Sequence, residues 1–558
     1  MSDLIRHIKR YWPLIVVLLI LYTVILRWII LSTDQQDGRI VYALDDPYIH
    51  MSIAKNLAQH GVWGISRYES SAASSSPLYT LLLAAIYLIF GPSDLVPLII
   101  NILCATGTLV LAYALFRHYD LPPLFNLISL LAITFFTPLP TLIFSGQEHT
   151  LHILLTLAFT ALAGRVLVED SPLGRSRPTM LLWGVAALLP ITRYEALFGV
   201  GIVAVLLMLR WKLLRAYLVV SGAVIPILIY GALSVTSGAM WLPNSVVLKS
   251  RLMNSNDLSQ AVEPTLRLFK YDYLKAFYWE LFLGDRLHVT LPILAALILF
   301  AVRSLRRRDT ADERGLMLII FAAGALLHIR LASLGWFYRY EAYTVAWGVF
   351  VLAAALGEYM PRRLPSRVNN VLLAQIASVG AVLILAGFPL AHRAWYAYHE
   401  TPQAMWNIYA QQIQMSEFLS VYYGDQTVAL NDVGATSYFS EARVLDLWGL
   451  GSNDVARMRH KGYYDTYQIE RLGYNRNVQI AIVYAGAFSQ FGGLPAGWVK
   501  IGEWTIPNGI AVAEPTVTFY AVDLLQINPL ATYLEDFAGA LPPGVVTNLY
   551  IQPIHFTP

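Results

Sequence analysis

The sequence predicts a polytopic α-helical membrane protein of about eleven transmembrane helices, followed by a C-terminal extracytoplasmic α/β domain. Three observations carry that reading. Of 558 residues, 57% are hydrophobic and only 13% are charged, about half the ~25% charged residues of soluble chains. Apolar runs of about 20 residues, long enough to cross a bilayer, recur as far as Leu390. Beyond Leu390 the pattern changes to short strand-like runs separated by helix-like stretches.

The first run, 11–31, follows Arg6, Lys9 and Arg10 and lacks a small-residue cleavage pattern at its end. It reads as an uncleaved signal anchor with a cytoplasmic N-terminus. Further spans are expected at 95–116, 124–143, 149–168, 179–191, 196–209, 216–235, 287–302, 315–332, 341–356 and 369–390. Threading these alternately puts Arg117, Arg175 with Arg177, Arg210 with Lys212, Arg303 with the arginines at 306–308, and Arg362 with Arg363 on the starting side. That is the arrangement the positive-inside rule requires.

The opposite, extracytoplasmic face then receives a first loop 32–94, a loop 236–286, turns at 144–148, 192–195 and 333–340, and the chain from 391 onward. The expected division is a plasma-membrane module 1–390 and an extracytoplasmic α/β domain 391–558, joined at the polar stretch 392–402. Within the tail, 427–431, 442–447 and 478–484 read as strands, and 403–422 and 453–474 as helices. The chain shows no internal repeat or low-complexity tract.

Charge and cysteine usage exclude several functions. A net charge of +3, with basic residues confined to short clusters between apolar runs, gives no nucleic-acid surface. The single cysteine, Cys104, lies inside an apolar run, which excludes an internal disulfide, a Cys-ligated zinc site and an iron–sulfur cluster.

The first loop carries the most specific signal. Asp45-Asp46-Pro47-Tyr48 opens a segment in which Ile49, Ile53 and Leu57 recur every four positions, and Gly61 closes it. The spacing predicts a short amphipathic helix lying on the membrane surface. Pro47 suits the first helical position, and Asp46 just before it is the natural N-cap. Asp45 precedes that cap and has no local partner; two adjacent carboxylates repel, so one needs a cation or a hydroxyl nearby. An aspartate held at the mouth of a membrane cavity is placed to take a proton from a hydroxyl group, which is general-base work. The plainer alternative is a solvated loop acid.

Asp45 to Ile49, followed by Ala54-Lys55-Asn56-Leu57-Ala58, resembles the first-loop motif of the integral-membrane C-type (GT-C) glycosyltransferases. Bacterial arabinofuranosyltransferase-like members are the most similar, with the mannosyltransferase and aminoarabinose-transferase branch more distant. Ser76-Pro77-Leu78-Tyr79, with the apolar stretch to Gly91, resembles the family's second juxtamembrane helix. Ser145-Gly146-Gln147-Glu148, Thr192-Arg193-Tyr194-Glu195, Leu242-Pro243-Asn244 with Lys249, and Phe337-Tyr338-Arg339-Tyr340 resemble further stretches in corresponding order. So do Asn431-Asp432-Val433-Gly434 and Asp446-Leu447-Trp448-Gly449 in the tail. Three positions depart from the pattern: Tyr194 replaces a common proline, while Gln147 and Glu341 stand where apolar residues are usual. These bear on the identity of the sugar more than on the reaction.

The resemblance implies a polyprenyl-phosphate-linked sugar as donor, a glycan, glycolipid or protein as acceptor, and inversion at the anomeric carbon. No cofactor or metal is expected, since the donor lipid is a substrate and side chains counter its phosphate. Such a donor needs cations at membrane depth, because charge builds on the phosphate as the glycosidic bond breaks. Arg193, Lys249 and Arg339 are the candidates, an arginine offering a bidentate fork and a lysine a point charge. Glu148, Glu195, Asn244, Tyr340, Asn431 and Asp432 are the remaining candidate substrate-binding residues.

Each has a duller explanation. Arg193 and Glu195 could simply pair at a tight turn, Lys249 could snorkel from an amphipathic helix, and Arg339 could belong to an interfacial aromatic belt. Glu148 suits a helix's first turn, His149 and His152 beside it form no expected metal site, and Asn431 with Asp432 could cap a turn after a strand. A transporter or flippase for a lipid-linked or sugar substrate is the competing class. Such a protein would be expected to show repeats and midplane charges, and the sequence shows neither.

Overall fold

The computed structural model describes residues 2–170, 176–249, 286–307, 312–360 and 370–554. The chain begins with α1 (Ser2–Gln35), then turns back through two shorter helices, α2 (Asp46–His60) and α3 (Pro77–Phe90), before α4 (Leu95–His118). Two pieces, α5 (Pro123–Phe136) and α6 (Leu139–Phe144), stand where the sequence predicts one span. Pro138 and Pro140 explain the break, because each removes a backbone donor and the residue before a proline is pushed out of the helical region.

The membrane module continues with α7 (His149–Val168), α8 (Arg177–Thr192), α9 (Leu197–Leu209), α10 (Leu213–Thr236), α11 (Asn244–Lys249), α12 (Leu287–Arg307), α13 (Glu313–Leu331) and α14 (Ala342–Leu356). Among the described residues, seven helices are long and apolar enough to cross a membrane, and three more apolar helices, including Tyr194–Leu209, are shorter. Outward-facing Leu103, Leu228, Ile229 and Leu233 remain exposed, as expected of helices whose outer solvent is lipid rather than water. Most of the expected loop 236–286, and the basic residues Arg175, Arg308, Arg362 and Arg363, lie outside the described residues.

The expected linker at 392–402 is instead helical. Helix α15 (Asn370–Ile408) passes through it unbroken, with Pro389 and Pro402 inside, and continues by a π-turn at Tyr409–Ile413 into α16 (Gln414–Tyr422). The polar stretch is amphipathic: Arg393, Ala397, Thr401 and Ala404 are buried while Trp395, Tyr396 and His399 face outward. Its polarity thus marks a helix with one wet face, not a loop.

The tail folds around a six-stranded sheet in the order β2-β1-β3-β5-β4-β6. Strands β1 (Thr427–Leu430), β2 (Arg443–Asp446) and β3 (Ile480–Val483) are parallel, whereas β4 (Val499–Thr505), β5 (Thr516–Ala521) and β6 (Val546–Leu549) extend the sheet antiparallel. The parallel strands are apolar on both faces, as strands covered on both sides must be. Val428, Leu430, Ile480 and Ile482 pack to one side with Phe418 and Trp504, while Ala429, Leu445, Ala481 and Val483 pack to the other. Short helix α17 (Gly434–Phe439) links β1 to β2; α18 (Asn453–His460) and α19 (Thr466–Asn475) link β2 to β3; α20 (Ile527–Phe537) covers the antiparallel half. The single helix expected at 453–474 is broken near Gly462, whose φ of 75° ends α18.

Parallel strands offer their carboxyl ends as the place for functional loops. Here those ends carry Asn431 and Asp432 after β1, Leu447 to Gly451 after β2, and Tyr484 after β3. They face the first loop of the membrane module. Helix α2 is accordingly not a surface helix: Pro47 through Ala54 are buried, between α3 on one side and α17 on the other.

Candidate active site

The junction is built around Asp45. Its carboxylate accepts backbone N–H bonds from Gly434 at 2.6 Å and Ala435 at 2.7 Å. Only glycine permits this approach, since a Cβ at 434 would lie 2.0 Å from the Asp45 carbonyl oxygen and 2.6 Å from its carboxylate. Asp432 abuts the same carboxyl and takes hydrogen bonds from Gln412 Nε2 at 2.8 Å and the Tyr484 hydroxyl at 3.0 Å. Burial and the mutual repulsion of the pair push Asp45 well above the usual carboxylate range, and burial raises Asp432 as well. Burying two acids together favours their protonated forms.

The helix register differs by one residue from the sequence expectation. Asp45, not Asp46, is the N-cap of α2, and Asp46 is its first residue. The cap side chain makes no bond to its own helix, because both its oxygens are drawn to Gly434 and Ala435 across the junction. Asp46 thereby points the other way, into a cavity of about 280 Å³ between the membrane helices and the tail domain.

That cavity gathers residues from widely separated segments of the chain. Asp46, Arg193, Glu195, Arg339 and Tyr340 line it, as do His50, Gln147, Ser245 and Leu450. Arg339 is 2% exposed. Its fork donates to Asp46 Oδ2 at 2.5 Å and Gln147 Oε1 at 2.6 Å, and it lies over the Tyr340 ring at 5.0 Å. Arg193 donates to Glu195 at 2.6 and 3.2 Å and to Glu148 at 2.9 Å, and stands 5.8 Å from the same ring. His50 sits one helical turn after Asp46, bonded through Nδ1 to Thr80 at 2.8 Å with Nε2 3.6 Å from Glu148. Burial lowers its pKa, which keeps the ring neutral.

The two arginines are therefore not open cations. Three carboxylates, Asp46, Glu148 and Glu195, face two guanidiniums, so a phosphate must share or displace a carboxylate. The side chain of Lys249, the third expected cation, lies outside the described residues, although its backbone closes α11.

Glu148 is buried behind the wall and acts on the cavity through Arg193. Asn244 is also removed from it: its backbone N–H donates to Ala72 and its side-chain Nδ2 to Leu450 and Asn453, pinning α11 to the first loop and the tail. Asn431 accepts from the Tyr484 N–H at 2.9 Å and serves the sheet. Asp446 likewise organises the loop after β2, accepting from the N–H groups of Trp448, Gly449 and Gly451; burial pushes it up to about 6.

His149 turns to Gln147 at 3.1 Å, whereas the His152 ring lies tilted against Tyr343 with centroids 4.3 Å apart. Among the described residues, no group of three or more His, Cys, Asp or Glu side chains is arranged to hold a metal ion. His50 escaped the sequence reading, although its spacing of four from Asp46 was available as a signal. Gln412 and Tyr484 left no such trace.

A family described as a domain of unknown function (DUF8728) matches residues 405–520, which run from the end of α15 to β5. No curated protein matches the chain in sequence. Among solved structures, ArnT from Cupriavidus metallidurans bound to undecaprenyl phosphate is 12% identical, with 93% of this chain and 98% of that chain covered at a TM-score of 0.50. The apo state of the same ArnT gives 12% identity, the same coverages and a TM-score of 0.51. The Archaeoglobus fulgidus oligosaccharyltransferase complex with Zn and sulfate is 13% identical over 89% of this chain and 73% of that one, with a TM-score of 0.47. The likeness to both ArnT states over nearly the full length of each chain shows that this protein shares the ArnT fold.

Proposed function

We propose that the protein transfers a sugar from a polyprenyl-phosphate-linked donor to a glycan, glycolipid or protein acceptor, with inversion, at the extracytoplasmic face of the plasma membrane. The observation that carries this reading is the Asp46 carboxylate presented to a cavity beside Arg339, Arg193 and Tyr340. The ArnT structure that shares this fold is bound to undecaprenyl phosphate, which supports a lipid phosphate as the donor's carrier.

The chemistry is a single displacement. An acceptor hydroxyl oxygen attacks the anomeric carbon, and the bond from that carbon to the phosphate oxygen breaks with its electron pair leaving on the phosphate. Asp46 takes the hydroxyl proton. Of the two acids, Asp46 suits this role because it opens to the cavity, whereas both oxygens of Asp45 are engaged by backbone N–H groups. Arg339, Arg193 and Lys249 would stabilise the charge developing on the departing phosphate. Since Arg339 already holds Asp46, a phosphate that draws its fork away leaves Asp46 freer to accept a proton.

The test is transfer by the purified protein from a panel of polyprenyl-phosphate sugars, beginning with arabinofuranose, set beside sugar movement across sealed vesicles. Transfer to an acceptor by protein in detergent supports the proposal. Movement of lipid-linked sugar across vesicles with no transfer from any donor would replace it with the transporter reading.

A further inference from the structure

The turn that carries Arg339 into the cavity has a costly backbone. Gly335, Trp336, Phe337 and Tyr338 follow one another with φ of 85°, 43°, 54° and 61°. Three of these four bear side chains in a region that favours glycine. Trp336 is 47% exposed, so burial of its ring does not explain the conformation.

Glu341 closes this turn. It is 1% exposed, and its Oε2 accepts from the Gly335 N–H at 2.8 Å. Its Oε1 accepts from Arg393 of α15 at 2.9 and 3.1 Å, with His288 Nε2 of α12 at 3.4 Å. The same Arg393 donates to the Tyr338 carbonyl, and to the Phe136 carbonyl at the end of α5 at 3.1 Å. One carboxylate and one guanidinium thus tie both ends of the turn to three other helices. A buried carboxylate is costly unless paired, and an apolar residue at 341 would carry none of these bonds.

We infer that Glu341, clamped by Arg393, is a positioning residue that holds the left-handed turn closed and thereby fixes where the Arg339 fork and the Tyr340 ring meet a phosphate-bearing ligand. The inference rests on the proposed reading of the cavity as the donor site. With the turn held, Arg339 can exchange Asp46 for phosphate by rotating its side chain, while its backbone stays in place. Without the clamp the turn relaxes toward ordinary backbone conformations, and the guanidinium loses its setting.

The experiment uses the full chain in nanodiscs. Reaction of Arg339 with 2,3-butanedione, followed by mass spectrometry of its peptide, reports how often the turn opens. Glu341→Gln should speed that labelling at least about tenfold, since one partner of a buried pair is removed and the local segment opens. Arg393→Lys, which keeps the charge and loses the fork, should act in the same direction. Adding Trp336→Gly to Glu341→Gln should slow labelling again, because glycine adopts positive φ freely; general loosening of the fold would not be reversed by it. Unchanged labelling in both folded single variants, or no reversal by Trp336→Gly, overturns the inference. Undecaprenyl phosphate should bind Glu341→Gln about tenfold more weakly than the native chain, in step with the labelling. Labelling that responds as expected while lipid-phosphate affinity stays constant would instead remove the donor-site reading on which the inference rests.

Discussion

Replacing Asp46 by asparagine keeps the side chain's size and leaves an oxygen for Arg339, while removing the charge that accepts a proton. A general base contributes roughly 10²- to 10⁴-fold, so transfer by Asp46→Asn should fall by that factor, about 3–6 kcal/mol of barrier at ~1.4 kcal/mol per tenfold. The stability cost is smaller. Asp46 is 31% exposed against 2% for Arg339, which places the lost pair between the ~1 kcal/mol of an exposed bridge and the ~3 kcal/mol of a broken buried one. Affinity for polyprenyl phosphate should hold or tighten, because the Arg339 fork is less engaged. Asp45→Asn should behave in the opposite way. Its carboxylate accepts two backbone N–H groups at 2.6 and 2.7 Å; asparagine offers one oxygen and leaves a buried donor facing an amide, a loss of roughly 1–3 kcal/mol. The folded fraction should still transfer sugar. Initial transfer rates per folded protein, beside thermal melts and lipid-phosphate binding, separate the two variants. Wild-type transfer by Asp46→Asn, or a stable but inactive Asp45→Asn, would refute the reasoning and return the base to Asp45.

Three further outcomes are expected. Asp45 and Asp432 both have folded pKa values above the ordinary 3.8, so the folded chain holds a proton that the unfolded chain releases above about pH 4; that contribution is full at low pH and lost as pH rises through the raised values. Melting temperature should therefore fall as pH rises above about 4, by an amount that Asp432→Asn reduces, and an identical slope in that variant would argue against the raised pair. Arg339→Lys should raise KM for the lipid-phosphate donor about tenfold, because an ammonium cannot bridge Gln147 and Asp46 as the fork does; unimpaired transfer by Arg339→Ala would make it a structural anchor. Because Cys104 is the single cysteine and is buried, Arg306→Cys and Tyr463→Cys can report sidedness in intact cells. The second should react with an external reagent and the first should not.

Patterns that repeat locally were legible in the sequence. Apolar runs of bilayer length marked the helical module, and alternating β-branched segments marked β1, β2 and β3, because each signal depends on neighbours within a few residues. Asp46, Arg193, Glu195, Arg339 and Tyr340 could be selected because they lie in stretches that resemble a known family's motifs and fall in loops assigned to one face, and they line one cavity. Strand β6 was not legible: three of its four residues are exposed, and pairing with β4 holds it in the sheet.

What no local pattern carried was pairing across long sequence separations. Asp45 meets Gly434 and Ala435 at separations of 389 and 390 residues, and Arg339 meets Asp46 across 293. The first contact moved the helix cap by one residue and so decided which aspartate faces the cavity. The second gave Arg339, for which the sequence offered no assured partner, the carboxylate of Asp46. Sequence determined which chemical groups were available and on which segments. Only the tertiary structure decided which were used up against each other, since a buried charge takes its partner from whatever the fold brings within about 3 Å, however distant along the chain.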